Sequence, residues 1–252
     1  MSYEDIVVTR EEGVGIIRLN RPKVLNALSK NLYREVDSVI GEFEADDEIE
    51  AIVFTGTGER AFSAGADIHE QLRDAENPPP PDPNRPEQAW HVAASTKPTI
   101  AALNGLCYGG GAVMASSFDI RVGCERTSFK FLAASYGRVN STWSLPMQVG
   151  WPAAKELLFT ARVVEAEEAY RIGLLNHLVP VDELLPKAME IAKQIVGNDA
   201  RIVQGIKELM MEYVGASFRG MYDAEKQARN GKLSSTPVEE GFKAFVDRKG
   251  RK

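Results

Sequence analysis

An α/β fold that runs into a helical C-terminal region is the architecture this sequence predicts, on three observations. Short β-like runs alternate with helical periods from the N-terminus onward, two glycine-rich turns each follow a buried strand-like run, and only helical periodicity remains after about residue 182. In order, Val14 to Leu19 reads as a strand, and Leu32, Val36, Val39, Ile40 and Phe43 recur at helical spacing. Ala51 to Phe54 is a short uninterrupted apolar run, the pattern of a buried strand. Thr99 to Leu103 repeats it, followed by a glycine turn, a short apolar helix from about Gly111, and a strand from Asp119 to Gly123. His177 to Val181 is expected to be the last strand of this region, with Asp182 capping the helix that follows. Beyond it Ile202, Val203, Ile206, Leu209, Met210 and Tyr213 form a one-sided apolar stripe, and Thr236-Pro237-Val238-Glu239 is a capping box with proline at the first helical position. The expected division is therefore an α/β core over residues 1–196 and a helical region over 197–252.

Composition narrows the function classes. At 252 residues, with 44% hydrophobic and 26% charged residues, the chain can bury a sizeable core and is neither disordered nor fibrous. A formal net charge of −6 argues against a broad nucleic-acid surface. Cys107 and Cys124, the two cysteines, have no histidine close by in sequence, so they fit neither a disulfide framework nor a zinc site, and no metal is expected. No apolar run is long enough to cross a membrane. Met1 to Arg10 carries Glu4 and Asp5 and no apolar or arginine-rich run, so no targeting segment is expected and the protein is read as cytoplasmic. One segment is unusual: Asn77 to Pro86 has six prolines in ten residues, a composition that excludes helix and central strand and predicts an exposed, stiff loop.

The chemistry concentrates in two turns, Ala61-Phe62-Ser63-Ala64-Gly65-Ala66-Asp67-Ile68 and Asn104-Gly105-Leu106-Cys107-Tyr108-Gly109-Gly110-Gly111. Small residues there let a ligand approach the backbone, and N–H groups at the start of a helix lack an intrahelical acceptor. Two such turns can aim two N–H donors at one oxygen, which is the requirement for stabilising negative charge on a carbonyl in a transition state. Each cluster alone also serves a purely steric purpose in a tight turn.

These turns sit within a series of ordered blocks. They are Leu19-Asn20-Arg21-Pro22-Lys23-Val24-Leu25-Asn26-Ala27-Leu28, Ala64-Gly65-Ala66-Asp67-Ile68, and Lys97-Pro98-Thr99-Ile100-Ala101-Ala102-Leu103-Asn104-Gly105 running into Gly109-Gly110-Gly111. Ala154-Lys155-Glu156-Leu157-Leu158-Phe159-Thr160, Glu167-Glu168-Ala169 with Gly173-Leu174, and Glu240-Gly241-Phe242-Lys243-Ala244-Phe245 complete the series. Along nearly its whole length the chain thereby resembles the crotonase, or enoyl-CoA hydratase/isomerase, superfamily. The resemblance implies a spiral of ββα turns with a C-terminal helical trimerisation region, assembled as a homotrimer or homohexamer. It implies an acyl-CoA substrate, with coenzyme A as part of that substrate and no separate cofactor. Matched position by position, Ala66 and Gly110 supply the backbone N–H groups of an oxyanion hole. The segment Lys23, Val24, Leu25 to Ala27, together with Ala64, Asp67 and Ile68, lines the coenzyme A path, and Phe245 and Arg248 fall where tail residues approach the coenzyme A of a neighbouring subunit. Arg21, Lys23, Arg248 and Lys249 are cations suited to its phosphates.

The resemblance breaks at the two glutamates with which family hydratases activate water, whose matching positions hold Val113 and Ala133. Neither side chain transfers a proton. The turn Gly137-Arg138-Val139-Asn140-Ser141-Thr142-Trp143, where family isomerases and dehalogenases often carry an aspartate, contains no acid. Tyr136, with Ser141 and Tyr108, remains as a candidate proton donor, and His69 and His91 are the histidines nearest in sequence. The expected activity is that of an enoyl-CoA hydratase/isomerase family lyase or isomerase working through enolate stabilisation. An acyl-CoA decarboxylase or hydrolase, and a catalytically silent CoA-binding scaffold subunit, stand as alternatives.

Overall fold

The computed structural model describes residues 3–82 and 89–234. In chain order the elements are β1 (Ile6–Glu11), β2 (Val14–Leu19), α1 (Lys30–Glu44), β3 (Ala51–Gly56), β4 (Ala61–Ser63), α2 (Ile68–Glu76), α3 (Trp90–Ala94), β5 (Thr99–Leu103), β6 (Leu106–Tyr108) and α4 (Gly110–Ala115). There follow β7 (Ile120–Gly123), β8 (Ser128–Lys130), α5 (Leu145–Thr160), β9 (Val163–Glu165), α6 (Ala166–Arg171), β10 (His177–Leu178), α7 (Leu184–Val196), α8 (Ala200–Glu212) and α9 (Phe218–Asn230). The chain divides into two units, Met1–Gly197 and Asn198–Lys252.

In the first unit, successive turns of chain place one strand in each of two sheets. A six-stranded sheet has the order β1-β2-β3-β5-β7-β10, parallel from β2 onward, and a four-stranded sheet has the order β4-β6-β8-β9. This is the expected spiral of ββα turns.

The large sheet is apolar on both faces, which explains its uninterrupted hydrophobic runs. Val14, Ile16, Ala51, Val53, Ile100 and Ala102 face α7, packing on Leu184, Ala188, Ile191 and Ala192. Their alternates Ile17, Leu19, Ile52, Phe54, Ala101 and Leu103 face the other way, into a cluster with Leu32, Val36, Ile40 and Phe43 of α1. Phe118 joins that cluster to the second sheet, its ring 4.8 Å from Phe54 and 6.0 Å from Phe62. Both cysteines are buried, and burial pushes the Cys107 thiol well above its ordinary value, so it is protonated and inert.

The last strand is shorter than its sequence pattern indicates. Only His177–Leu178 pairs with β7, because Pro180 has no N–H to extend the ladder, and Val181–Glu183 tightens into a 3₁₀ turn. Asp182 lies inside that turn and Glu183 precedes α7, so Asp182 does not cap it. In the second unit the stripe expected from Ile202 onward falls on α8, where Ile206 and Met210 are exposed and Gly205 is buried beneath Leu233. The capping box at Thr236, the tail block at Glu240, Phe245 and Arg248 lie outside the described residues.

Arg121 on β7 is 2% exposed. Its Nε donates to the Leu174 carbonyl at 2.7 Å and its Nη2 to Gln148 Oε1 at 2.6 Å, while Nη1 donates to the Phe118 carbonyl. Burial lowers its pKa to about 10, so it remains charged at neutral pH and ties β7 to α5 and to the loop before β10. Arg121→Met leaves those buried acceptors unpaired and is expected to destabilise the protein by about 3 kcal/mol, measurable by urea unfolding.

His91 on α3 holds α1 through Asp37 (Nδ1 to Oδ1, 2.5 Å) and Glu44 (Nε2 to Oε2, 3.4 Å). Partial burial opposes its charge, but the two carboxylates prevail and raise its pKa above the ordinary 6.5. Its contribution is therefore complete below the unfolded pKa and is lost as pH rises through the higher folded value. The melting temperature is expected to fall across that interval, and His91→Gln to remove this component of the pH dependence.

Candidate functional site

Between β4 and α2 the chain turns through Gly65, whose φ is +96°, and between β6 and α4 it turns through Gly109, with φ +52°. The two turns touch. A β-carbon on Gly65 would stand 2.6 Å from the Tyr108 carbonyl oxygen and 2.9 Å from the Gly110 nitrogen, so glycine is required there by contact as well as by conformation. A β-carbon on Gly110 would stand 3.4 Å from the Ala66 nitrogen, so the two turns bring Gly110 beside the Ala66 N–H.

Hydrogen bonding fixes where these N–H groups are free to point. Leu28 N donates to the Gly65 carbonyl at 2.7 Å and Asp67 N donates to the Leu28 carbonyl at 3.1 Å, an isolated parallel bridge that leaves Ala66 N–H on its other side. Gly110 is the first residue of α4, where an N–H has no intrahelical acceptor. Among the described residues neither donor has a protein acceptor.

The support beneath them is a buried polar network that sequence reasoning did not single out. Asn26, fully buried with φ +53°, accepts from Arg21 N at 2.9 Å and donates to the carbonyls of Thr57 at 3.1 Å and Ala61 at 3.0 Å. Ser63 Oγ donates to the Asn26 carbonyl at 2.8 Å and accepts from Gly65 N at 3.1 Å, and Asn104 accepts from Gly56 N at 3.0 Å. The asparagines supply turn-like hydrogen bonds where backbone partners are out of register.

Ala66, Asp67 and Gly110 line one cavity of about 770 Å³, together with Leu28, Tyr33 and Val113. Its remaining wall comes from Lys30 and Arg34 on α1, from Glu70, Gln71 and Asp74 on α2, from Pro79 to Asp82, and from Arg138 and Asn140. The proline-rich segment thus forms part of the wall. Its carboxylates already hold partners. Asp67 caps α2 through Glu70 N at 3.1 Å and pairs with Arg21 at 3.0 Å; burial alone would raise its pKa, but these contacts hold it below the ordinary value. Glu70 accepts from Lys30 N at 2.9 Å, Asp74 pairs with Lys30 at 2.5 Å and Asp82 with Arg34 at 2.8 Å.

Other sequence-derived residues lie apart from the cavity wall. Tyr136 is 64% exposed and does not line it, Ala133 is buried outside it, and His91 is engaged with α1. Ser141 is buried with its hydroxyl unpaired, as is Asn140 Oδ1. The Lys23–Ala27 segment lies alongside the first turn, with Ala64 N donating to the Leu25 carbonyl at 2.9 Å. Val24 and Ile68 are exposed at 46% and 60%. Arg21 is held by Asp5 at 3.2 Å as well as by Asp67, so it is not a free phosphate cation, whereas the exposed Lys23 has no ion-pair partner among the described residues.

The profile of the enoyl-CoA hydratase/isomerase family matches residues 9–252, and the chain belongs to that family. It is 33% identical to the short-chain-enoyl-CoA hydratase of Clostridium acetobutylicum, over 99% of this chain and 97% of that protein. It is 31% identical to the crotonyl-CoA hydratase of Syntrophomonas wolfei with the same coverage. Among solved structures, enoyl-CoA hydratase from Bacillus anthracis superposes with a TM-score of 0.85 at 30% identity, covering 97% of both chains. A probable enoyl-CoA hydratase/isomerase from Mycobacterium abscessus superposes at 0.87 and 27% identity, covering 98% of this chain and 97% of that one.

Gly65→Ala tests the contact between the turns. An alanine β-carbon meets the Tyr108 carbonyl and a strained φ at once, so a loss of about 2 kcal/mol or more in chemical denaturation is expected.

Proposed function

We propose that the protein acts on an acyl-CoA thioester whose carbonyl oxygen accepts hydrogen bonds from the Ala66 and Gly110 N–H groups. The observation that carries this reading is the approach of two N–H groups that have no protein acceptor among the described residues, at the wall of one cavity, in a chain of the enoyl-CoA hydratase/isomerase family. Donors aimed at an oxygen that gains charge stabilise an enolate, and losing one typically costs about 10²- to 10³-fold in rate. Coenzyme A runs along Lys23, Val24, Leu25 and Ala27 with Ala64, Asp67 and Ile68 beside it, Lys23 meeting a phosphate. Phe245 and Arg248 of the tail contribute from a neighbouring subunit of a homotrimer or homohexamer. The exposed Ile206 and Met210 on α8 support such an assembly, since apolar side chains gain by burial between copies.

Proton transfer follows a different route from the two-glutamate hydration. Val113 lines the cavity beside Gly110, and the carboxylates in the wall are held by Arg21, Lys30, Arg34 and the Lys30 backbone. The same apolar side chain favours a second reading, decarboxylation of a malonyl-type thioester, in which loss of CO₂ generates the enolate without a base.

Acetyl-CoA is expected to raise the melting temperature through linkage, and light scattering to give an oligomer at micromolar concentration. Gly110→Pro removes one donor at a helix position that tolerates proline, so turnover is expected to fall at least about a hundredfold while circular dichroism and CoA binding persist. Wild-type crotonyl-CoA hydration is expected to be far below the roughly 10 per second typical of enzymes, and robust hydration would overturn the reading of Val113 and Ala133. Coenzyme A binding without turnover of any thioester would leave the scaffold role.

A further inference from the structure

Charged residues are numerous in the wall of the cavity beside the two donors, seven of its 17 lining residues. Lys30 and Arg34 are each neutralised by a carboxylate within the same wall. Arg138 is different. Its guanidinium donates to the neutral Gln71 Oε1 at 3.2 Å, and among the described residues it pairs with no carboxylate. Its position is not arbitrary, because Arg138 N donates to the Ala133 carbonyl at 2.8 Å after the left-handed Gly137, which fixes the backbone that carries it.

Arg138 is exposed, and an apolar acyl chain filling this space offers neither it nor the ion pairs around it a polar partner. A carboxylate on the chain can meet the Arg138 guanidinium, whose hydrogen-bond acceptor among the described residues is the neutral Gln71, in a planar, bidentate geometry. Resting on the thioester reading above, we infer that the acyl group this cavity accepts carries its own carboxylate, and that Arg138 is the residue that selects it. The substrate class is a short dicarboxylic acyl thioester. The segment Lys23–Ala27 does not line the cavity, so the coenzyme A moiety and the acyl carboxylate occupy different sides of the donors.

Isothermal titration of the full chain with malonyl-, succinyl- and glutaryl-CoA, beside butyryl- and pentanoyl-CoA, tests this. At least one dicarboxylic thioester is expected to bind about tenfold or more tightly than the uncharged ones. In Arg138→Gln the ratio of the two affinities is expected to fall to near one, and in Arg138→Lys to keep part of its value, with thermal melting reporting the fold of each variant. Equal affinities in the wild type, or a preference that survives Arg138→Gln, overturn the assignment of Arg138 while leaving the thioester site standing. Failure of every thioester to bind overturns both.

Discussion

The structure depends on one close approach, that of the Gly65 turn to the Gly109–Gly110 turn. Pairing of β4 with β6 sets the two turns side by side, and any side chain at position 65 would enter the Tyr108 carbonyl or the Gly110 nitrogen. A contact between backbones has no rotamer with which to relax, so its geometry is set by whatever holds the strands. Here that is the Asn26, Ser63 and Asn104 network below and the double-faced apolar sheet beyond it. The outcome is a pair of donors whose direction is determined before any ligand arrives, which is the condition under which electrostatic stabilisation costs no reorganisation.

Charge around the donors is arranged with a similar economy of free groups. Asp67, the carboxylate adjacent to Ala66, caps α2 and anchors Arg21, and the Arg21 guanidinium also reaches the Ala27 carbonyl at 2.6 Å. This ties the first turn to the segment proposed to meet coenzyme A and keeps the carboxylate ionised and occupied. Val113 presents an apolar side chain to the cavity, while charged side chains reach its wall from Asp67, α1, α2 and Arg138.

The sequence reveals the large sheet readily because β2, β3 and β5 are apolar runs whose alternate residues are buried on two faces. The second sheet is hard to read, since β4, β6, β8 and β9 have three residues each and give no measurable period. Helix α5 is concealed by Gly150 at φ +74° and by Pro152, which interrupt its pattern. Of the cavity wall, Ala66, Asp67 and Gly110 are legible because they lie in or beside glycine turns, whereas Lys23–Ala27, expected from the family resemblance, does not line it. Arg34, Asp74 and Arg138 are not legible, because they come to the cavity wall from well-separated parts of the chain. Asn26 carried a signal of a kind, a polar residue in a left-handed turn, but its burial is a property of the folded chain.

Vibrational difference spectroscopy of an acyl-CoA labelled with carbon-13 at the thioester carbonyl observes the hydrogen bonding of that carbonyl directly. Two strong hydrogen bonds from Ala66 and Gly110 polarise the C=O bond, so on binding its stretch is expected to move to lower wavenumber, and Gly110→Pro to reverse much of the shift. A thioester that is demonstrably bound, with its carbonyl stretch unchanged from that in water or moved to higher wavenumber, would contradict the account.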